Sequence, residues 1–158
     1  MKILVLGSGA REHALVWRIS RSAGVRVACA PGNPGTARHA ENVAVTLHDP
    51  SGIAQLARSL GADLVVVGPE APLVQGAADA IRSEGILVFG PGAGAAAIEG
   101  SKTFAKEVME RAKVPTAAYR VFDSAQQAEA FARTQDGAVI KADGLAAGKG
   151  VVVARNST

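Results

Sequence analysis

The chain has 158 residues, 48% of them apolar and 20% charged, with a net charge of +3, as expected for a soluble globular protein of one domain rather than two. Aromatic residues make up 4%, too few for the base-stacking surfaces of RNA- or single-strand-binding proteins, so small anionic ligands explain the basic charge better than nucleic acid. The single cysteine argues against a disulfide framework, and an N-terminal apolar run of only four residues argues against a secretory signal. No apolar segment reaches the roughly 18 residues of a membrane span, so we predict a cytoplasmic protein.

The chain opens with a predicted strand at residues 3–6, a glycine turn and a helix. All four strand residues are apolar, as in a parallel strand buried on both faces. Because the N–H groups of such a turn attract anions, Gly7 and Gly9 are candidate contacts for a monophosphate. Arg11 is either a further phosphate contact or an exposed arginine at the start of the helix. A nicotinamide or flavin site is disfavoured, since Glu12 replaces the third glycine of G-x-G-x-x-G and the next strand ends without an acidic residue.

A second glycine-rich loop, Pro31-Gly-Asn-Pro-Gly-Thr36, follows the predicted strand at residues 25–30. Glycine, proline and asparagine are also typical of a plain turn, so this alternative stays open. A loop in this place would lie at the same edge of the sheet as the first turn. Its candidate ligand contacts are Gly32, Asn33, Gly35 and Thr36.

Further strands are predicted at residues 43–46, 63–67 and 86–89, and they alternate with helices at residues 11–22, 51–60 and 74–84, the second of them capped by Ser51. This alternation predicts an α/β fold with a doubly wound parallel sheet. Ligands of such sheets bind beyond the carboxyl ends of the strands, so the loops at residues 7–11, 31–36 and 68–73 should converge there. Glu70 is the one carboxylate expected at that edge, either accepting hydrogen bonds from substrate hydroxyl or amino groups or lying in a solvated turn.

A change in composition at residues 92–100, an alanine- and glycine-rich connection, predicts a boundary between domains at residues 1–100 and 101–158. Ser101 should cap a helix at residues 102–113. Lys102 would then lie at the positive end of the helix, at a cost of roughly 0.3–1 kcal/mol, and the first turn contains no acid. An anionic ligand would remove that cost, which makes Lys102 a candidate phosphate contact. A strand at residues 117–122 and a helix capped by Asp123 or Ser124 should follow.

The last predicted feature is a hairpin, in which an apolar strand ending at Lys141 and a β-branched strand enclose a glycine-rich loop. The candidate phosphate-binding residues of this hairpin are Lys141, Asp143, Gly144, Gly148, Lys149 and Gly150. The three glycines cost roughly 2–3 kcal/mol of backbone entropy. Binding of a phosphate by the backbone N–H groups of the loop would compensate for that cost. The spacing excludes a P-loop, and two lysines favour a nucleotide triphosphate over a solvated hairpin tip.

Five segments in this order resemble the phosphoribosylamine–glycine ligase family of the ATP-grasp superfamily: Gly7-Ser-Gly-Ala-Arg-Glu-His13, Pro31-Gly-Asn-Pro-Gly-Thr36, Val67-Gly-Pro-Glu-Ala-Pro-Leu73, Glu99-Gly-Ser-Lys-Thr-Phe104 and Lys141-Ala-Asp-Gly-Leu-Ala-Ala-Gly-Lys-Gly150. The resemblance implies a Rossmann-like pre-ATP-grasp domain followed by the beginning of an ATP-grasp domain. It also implies that Lys102 and Lys141 contact ATP, that the loop at residues 143–150 closes over the phosphates, and that the N-terminal loops hold phosphoribosylamine.

The same resemblance implies a ligase of purine biosynthesis that joins phosphoribosylamine to glycine through a glycyl phosphate, using ATP with Mg²⁺ or Mn²⁺. The metal ligands are expected beyond residue 158, so no metal ligand or catalytic residue is assigned and no turnover is expected from this chain alone. Two other functions stay open: a non-catalytic module that binds a phosphosugar or nucleotide, and another ATP-grasp carboxylate–amine ligase. The sequence predicts no particular oligomer.

Overall fold

The structure is a computed structural model that describes residues 1–146 and 149–154. The strands are β1 (Lys2–Gly7), β2 (Arg26–Pro31), β3 (Glu41–Asn42), β4 (Leu64–Val67), β5 (Leu87–Phe89), β6 (Ala138–Lys141) and β7 (Val151–Ala154). The helices are α1 (Ala10–Ile19), α2 (Pro50–Ser59), α3 (Glu70–Val74), α4 (Ala77–Ser83), α5 (Ala93–Gly100), α6 (Lys102–Arg111) and α7 (Ala125–Ala132), with a short 3-10 helix at Thr36–Arg38. The chain divides into two compact units, Met1–Ala97 and Ile98–Thr158.

The first unit is built on a five-stranded parallel sheet with strand order β3-β2-β1-β4-β5. The chain leaves β1 toward β2 and β3 on one side, then returns to place β4 and β5 on the other. The point where this order reverses lies between β1 and β4, which is where ligands of such sheets usually bind. The predicted α/β class and doubly wound parallel sheet are confirmed.

Residues of β1 alternate between two apolar layers, because successive strand side chains point to opposite faces. Leu4 and Leu6 pack with residues of α2 and α4 such as Ile53 and Ile81. On the opposite face, Val5 packs with Val16 of α1. Each layer removes apolar surface from water, and together they hold the carboxyl ends of the strands in fixed positions.

Two local predictions in this unit are wrong. Residues 43–46 form no strand, since the pairing with β2 is made by Glu41 and Asn42, after which Val43 adds a single bond to the Cys29 carbonyl at 2.8 Å. The cap of α2 is Asp49, whose carboxylate accepts from the N–H of Gly52 at 3.0 Å, and not Ser51. Proline at the first position of α2 favours this earlier start.

The predicted helix at residues 74–84 is replaced by two helices, α3 and α4, separated at Gly76, whose φ of +93° lies in the left-handed region. The predicted connection at residues 92–100 contains helix α5, because alanine is a strong helix former and Ala96 packs into the core of the first unit.

The second unit contains α6, α7 and the predicted hairpin, in which β6 and β7 pair antiparallel with Lys141 opposite Val151. The cap of α6 is Ser101 as predicted, accepting from the N–H of Phe104 at 3.1 Å, and Ser124 caps α7. The strand predicted at residues 117–122 is absent from this described segment. Instead, the ammonium group of Lys106 holds the carbonyl of Ala117 at 2.7 Å. Over the described part of the chain, no helix has the length and apolar character needed to span a bilayer.

Candidate functional site

The three loops at the carboxyl edge of the parallel sheet meet, as predicted. The amide nitrogen of Asn33 donates to the carbonyl of Ser8 at 2.9 Å and joins the second loop to the first turn. The guanidinium group of Arg11 donates to the carbonyl of Gly68 at 2.7 Å and joins the first turn to the loop after β4. These two hydrogen bonds fix the geometry of the edge between β2, β1 and β4.

The turn after β1 is filled by the side chain of Glu12. Its side chain is only 5% exposed, and its Oε2 accepts from the N–H of Gly9 at 2.7 Å. A Cβ atom at Gly7, Gly9 or Gly68 would come closer than 3.0 Å to this side chain, so the glycines leave room for a carboxylate of the protein. Gly7 and Gly9 remain predicted ligand contacts, but the N–H of Gly9 already has an internal acceptor.

Asn33 and Thr36 organise the second loop. The carbonyl oxygen of the Asn33 side chain accepts from the N–H groups of Gly35 at 2.7 Å and Thr36 at 3.0 Å. Thr36 is fully buried, and its hydroxyl lies 2.8 Å from both the Asn33 carbonyl and the side-chain oxygen of Asn42. The Thr36 hydroxyl therefore satisfies groups inside the loop, and Thr36 stays a predicted ligand contact whose side chain is already bonded. Asn33 is half-buried and keeps its place at the edge.

Gly32 and Gly35 allow this loop to pack closely. Gly32 has a φ of +73° and donates to the carbonyl of Gly7 at 3.1 Å, and any Cβ here would collide with Asn42. A Cβ at Gly35 would lie 2.5 Å from the imidazole of His13, which stacks on His39 with ring centroids 5.9 Å apart. Gly35 thus lets the loop pack against α1, and Gly32 lets it pack against Asn42.

Glu70 stands apart from the other predicted contacts. It begins α3, directly beyond β4, and its side chain is half-buried. Within the described ranges 1–146 and 149–154, its carboxylate has no hydrogen bond and no ion pair. Since no buried side-chain oxygen of the described residues lacks a hydrogen-bond partner, the carboxylate oxygens of Glu70 are open to solvent and free to accept hydrogen bonds from a ligand.

The buried thiol of Cys29 lies beneath this edge. It donates to the carbonyl of Gly7 at 3.6 Å. Burial raises the pKa of the Cys29 thiol, a hydrogen bond with Thr36 lowers it by less, and the negative charge of Glu12 adds to the rise. A protonated, buried thiol of this kind packs as a small apolar side chain and is not a nucleophile.

In the second unit, the glycine loop after β6 is tied to the first turn of α6. Asp143 accepts at its Oδ1 from the N–H groups of Lys102 at 2.6 Å and Thr103 at 3.3 Å, and at its Oδ2 from the Ser101 hydroxyl at 3.0 Å. The Lys102 ammonium donates to the carbonyl of Gly144 at 2.8 Å. The carboxylate of Asp143, an acid outside the first turn, thus lies at this helix N-terminus and already supplies an anion there.

Asp143 is held ionised by these contacts. Desolvation opposes ionisation, but hydrogen bonds from the Gly144 N–H, the Ser101 hydroxyl and the N–H groups of the first helical turn outweigh it and lower the pKa of Asp143 to about 2. The carboxylate therefore faces the helix, where it adds to the cap provided by Ser101. Direct contact of Asp143 with a phosphate would require these bonds to break.

Lys141 and Lys149, the two lysines of the hairpin, are exposed, and within the described ranges their side chains make no hydrogen bond or ion pair. Lys141 ends β6, and Lys149 lies after the loop, where its backbone N–H donates to the carbonyl of Ala146 at 2.8 Å. Gly144 and Gly150 have φ values of +87° and +78°, in the region that favours glycine. Gly148 lies outside the described residues.

Among residues 1–146 and 149–154, no group of three or more His, Cys, Asp or Glu side chains lies together in a way that could hold a metal ion. No metal ligand is assigned in this part of the chain.

Three contacts were missed by sequence reasoning. Glu12 lies three residues after Gly9, the capping-box position of α1, and this spacing could have indicated its bond to the Gly9 N–H. The partners of Asn42 and Asp143 are distant or depend on a turn geometry, so no local pattern indicated them.

A parallel sheet with glycine loops at its switch point places this chain among the α/β proteins whose fold offers a ligand site beyond the carboxyl ends of the strands. The chain belongs to the phosphoribosylglycinamide synthetase family: residues 1–99 match the model of the N domain of that synthetase, and residues 100–158 match its ATP-grasp (A) domain.

Similar proteins include the phosphoribosylamine–glycine ligase of Brucella melitensis, 52% identical over 98% of this chain, and that of Escherichia coli, 50% identical over the same share. The chain covers 36% and 37% of these relatives, so it spans about a third of the length of the curated proteins that it matches.

Among solved structures, the phosphoribosylamine–glycine ligase of Thermotoga maritima is 30% identical, with a TM-score of 0.78, over 99% of this chain and 37% of its own. The N5-carboxyaminoimidazole ribonucleotide synthetase of the same organism has a TM-score of 0.74 at 20% identity, over 98% of this chain and 41% of its own, and shows the shared fold alone.

Proposed function

We propose that this chain forms the N-terminal part of a phosphoribosylamine–glycine ligase, an ATP-dependent carbon–nitrogen ligase of purine biosynthesis. In this proposal the edge of the parallel sheet binds phosphoribosylamine, and the lysines around the glycine loop bind the phosphates of ATP. The reaction would take place in the cytoplasm, where ATP is abundant and a thiol such as Cys29 stays reduced. Family membership and the relatives at 50% and 52% identity support the choice of reaction.

The observation that carries the substrate site is the carboxylate of Glu70, which has no partner in the part of the chain that the structure describes. It lies at the switch point, where Arg11 and Asn33 fix the neighbouring loops through bonds to Gly68 and Ser8. A ribosylamine presents hydroxyl and amino donors, which match a carboxylate that has no donor of its own. Glu70 would therefore orient the sugar and its amine.

The nucleotide side of the proposal rests on Lys141 and Lys149. Both ammonium groups are exposed, at the two ends of a glycine loop, and neither has an acceptor among residues 1–146 and 149–154. They would attract the polyphosphate and reduce the repulsion as the glycine carboxylate approaches the γ-phosphate. Lys102, by contrast, is held by the carbonyl of Gly144 and would contact phosphate only after giving up that bond.

The proposed chemistry has two steps. An oxygen of the glycine carboxylate attacks the γ-phosphorus of ATP. A new oxygen–phosphorus bond forms as the bond between the γ-phosphorus and the leaving oxygen of ADP breaks. The amine of phosphoribosylamine then attacks the acyl carbon, giving the amide, phosphate and a proton. Mg²⁺ or Mn²⁺ would accompany ATP, and no described residue of this chain is assigned to the metal.

The substrate site is tested by calorimetric titration of the 158-residue chain with ribose 5-phosphate, with phosphoethanolamine as a phosphorylated amine that lacks the sugar. We expect binding of ribose 5-phosphate, and a loss of about tenfold in affinity for Glu70→Gln, because the amide cannot accept charge-assisted hydrogen bonds. The matched control is Glu84→Gln, a carboxylate of the same unit, after α4, whose partner is Arg58. Equal affinity of wild type and Glu70→Gln, or a preference for phosphoethanolamine, would contradict the proposal.

A further inference from the structure

The turn after β1 has the backbone of a phosphate cradle but is occupied by the protein itself. Two glycines and the N-terminus of α1 ordinarily offer N–H groups to a phosphate. Here the N–H of Gly9 donates to the Glu12 carboxylate at 2.7 Å, and Glu12 is a buried residue with an exposure of 5%. The place that a phosphate would take is thus occupied by a carboxylate of α1.

The Glu12 side chain also fills the space beside the turn. A Cβ added to Gly7, Gly9 or Gly68 would meet atoms of the Glu12 side chain, so that side chain lies between the first turn and the loop after β4. A phosphate entering this space would have to expel a packed side chain. The phosphate would also lie next to the Glu12 carboxylate, and two neighbouring negative charges repel each other strongly where solvent is excluded.

The surrounding bonds keep Glu12 in place. Arg11 holds the carbonyl of Gly68 at 2.7 Å, which keeps the loop after β4 closed over the glutamate. Asn33 donates to the carbonyls of Ser8 at 2.9 Å and Gly9 at 3.3 Å, which fixes the turn from the other side. Moving Glu12 aside would break the bond to Gly9 and leave a cavity between the two loops.

We propose that Glu12 is a specificity-determining residue that closes the first glycine turn to phosphate. At this edge of the sheet, a phosphorylated ligand is then recognised by its hydroxyl and amino groups, through Glu70, and its phosphate lies away from residues 7–9. The identity of that ligand as a ribosylamine phosphate rests on the proposed function. The exclusion of phosphate from the turn does not.

The exclusion is tested by two-dimensional NMR of the ¹⁵N-labelled 158-residue chain, titrated with inorganic phosphate. In the wild type we expect no saturable shift of the Gly9 amide resonance. Glu12→Gly restores the spacing G-x-G-x-x-G and empties the turn, and should bind phosphate at Gly9 at least about tenfold more tightly than the wild type does. Glu12→Ala empties the same space and keeps a good helix former, so it decides the question if the glycine variant does not fold.

Glu41→Ala is the matched control, because it removes an exposed carboxylate from the same unit without touching the turn. It should leave the Gly9 amide as insensitive to phosphate as in the wild type. A saturable phosphate shift at Gly9 in the wild type would overturn the inference. So would a folded Glu12→Ala or Glu12→Gly chain that gains no phosphate binding at Gly9.

A second titration separates this inference from the proposed function. Ribose 5-phosphate and ribose are added to the wild type in parallel. If ribose 5-phosphate does not bind, the proposed substrate site fails and the phosphate titration still decides the role of Glu12. If ribose 5-phosphate binds and shifts the Gly9 amide while ribose does not, the proposed function stands and the inference about Glu12 fails.

Discussion

Replacing Asp143 by asparagine should weaken the second unit in a way that depends on pH. The carboxylate accepts from Lys102, Gly144 and Ser101 at 2.6, 2.9 and 3.0 Å, and asparagine keeps the shape but removes the charge. A pKa lowered from 3.8 to about 2 corresponds to about 2.5 kcal/mol. Because Asp143 is exposed, solvent screening reduces this, and we expect a loss of about 1 kcal/mol.

The pH dependence follows from the direction of the pKa shift. Since the pKa of Asp143 is lower in the folded state, the ionised carboxylate stabilises the fold fully above the ordinary pKa of 3.8, and this stabilisation disappears as the pH falls to about 2. The difference in unfolding free energy between wild type and Asp143→Asn should therefore be about 1 kcal/mol at neutral pH and approach zero at about pH 2.

Urea unfolding followed by the absorbance of Tyr119, the single tyrosine, measures this difference in the second unit. Asp136→Asn is the matched control, since this exposed carboxylate makes no hydrogen bond or ion pair in the described part of the chain. It should show no comparable change. A difference for Asp143→Asn that is the same at both ends of the pH range, or absent at neutral pH, would refute the reasoning.

Three further outcomes are expected. In a full-length ligase that contains this segment, the double variant Lys141→Gln and Lys149→Gln should bind ATP about a hundredfold more weakly in calorimetry. The control Lys113→Gln should bind ATP as the wild type does. Unchanged ATP affinity in the double variant would contradict the proposed nucleotide contacts. Lys113 has a φ of 55° just after α6, so Lys113→Gly should raise the unfolding free energy by about 1 kcal/mol in thermal melts, and a lower melting temperature would contradict this explanation. The fully buried Cys29, with its raised pKa, should react with iodoacetamide far more slowly in the native chain than in urea, and equal rates would show that the sheet opens readily.

The order of strands and helices and their positions along the chain followed largely from local patterns. Apolar runs such as residues 3–6 mark buried parallel strands, and Ser101 and Ser124 mark helix starts. These signals are local because a strand's periodicity and a helix cap involve residues within a few positions of each other. Local patterns failed where a neighbour was needed, as at residues 117–122, which have the composition of a strand but no strand beside them among the described residues.

The candidate site divides in the same way. Sequence spacing indicated that the three loops would converge, and Glu70 was identified because it follows a buried strand at the carboxyl edge. Which polar groups are available to a ligand was a different question. Thr36 proved buried and bonded within its loop, whereas Glu70 kept a carboxylate without a described partner.

The amino-acid sequence alone was sufficient for the α/β class, the glycine loops and the family, because these depend on periodicity, spacing and ordered motifs. The occupancy of the two anion-binding helix ends came from the folded chain. Asp143 reaches the first turn of α6 from 41 residues away, and Gly68 of the loop after β4 lies so close to Glu12 that a Cβ there would collide with it. A hydrogen bond forms only between groups that lie close in space. For residues that are remote in sequence, this closeness depends on tertiary packing.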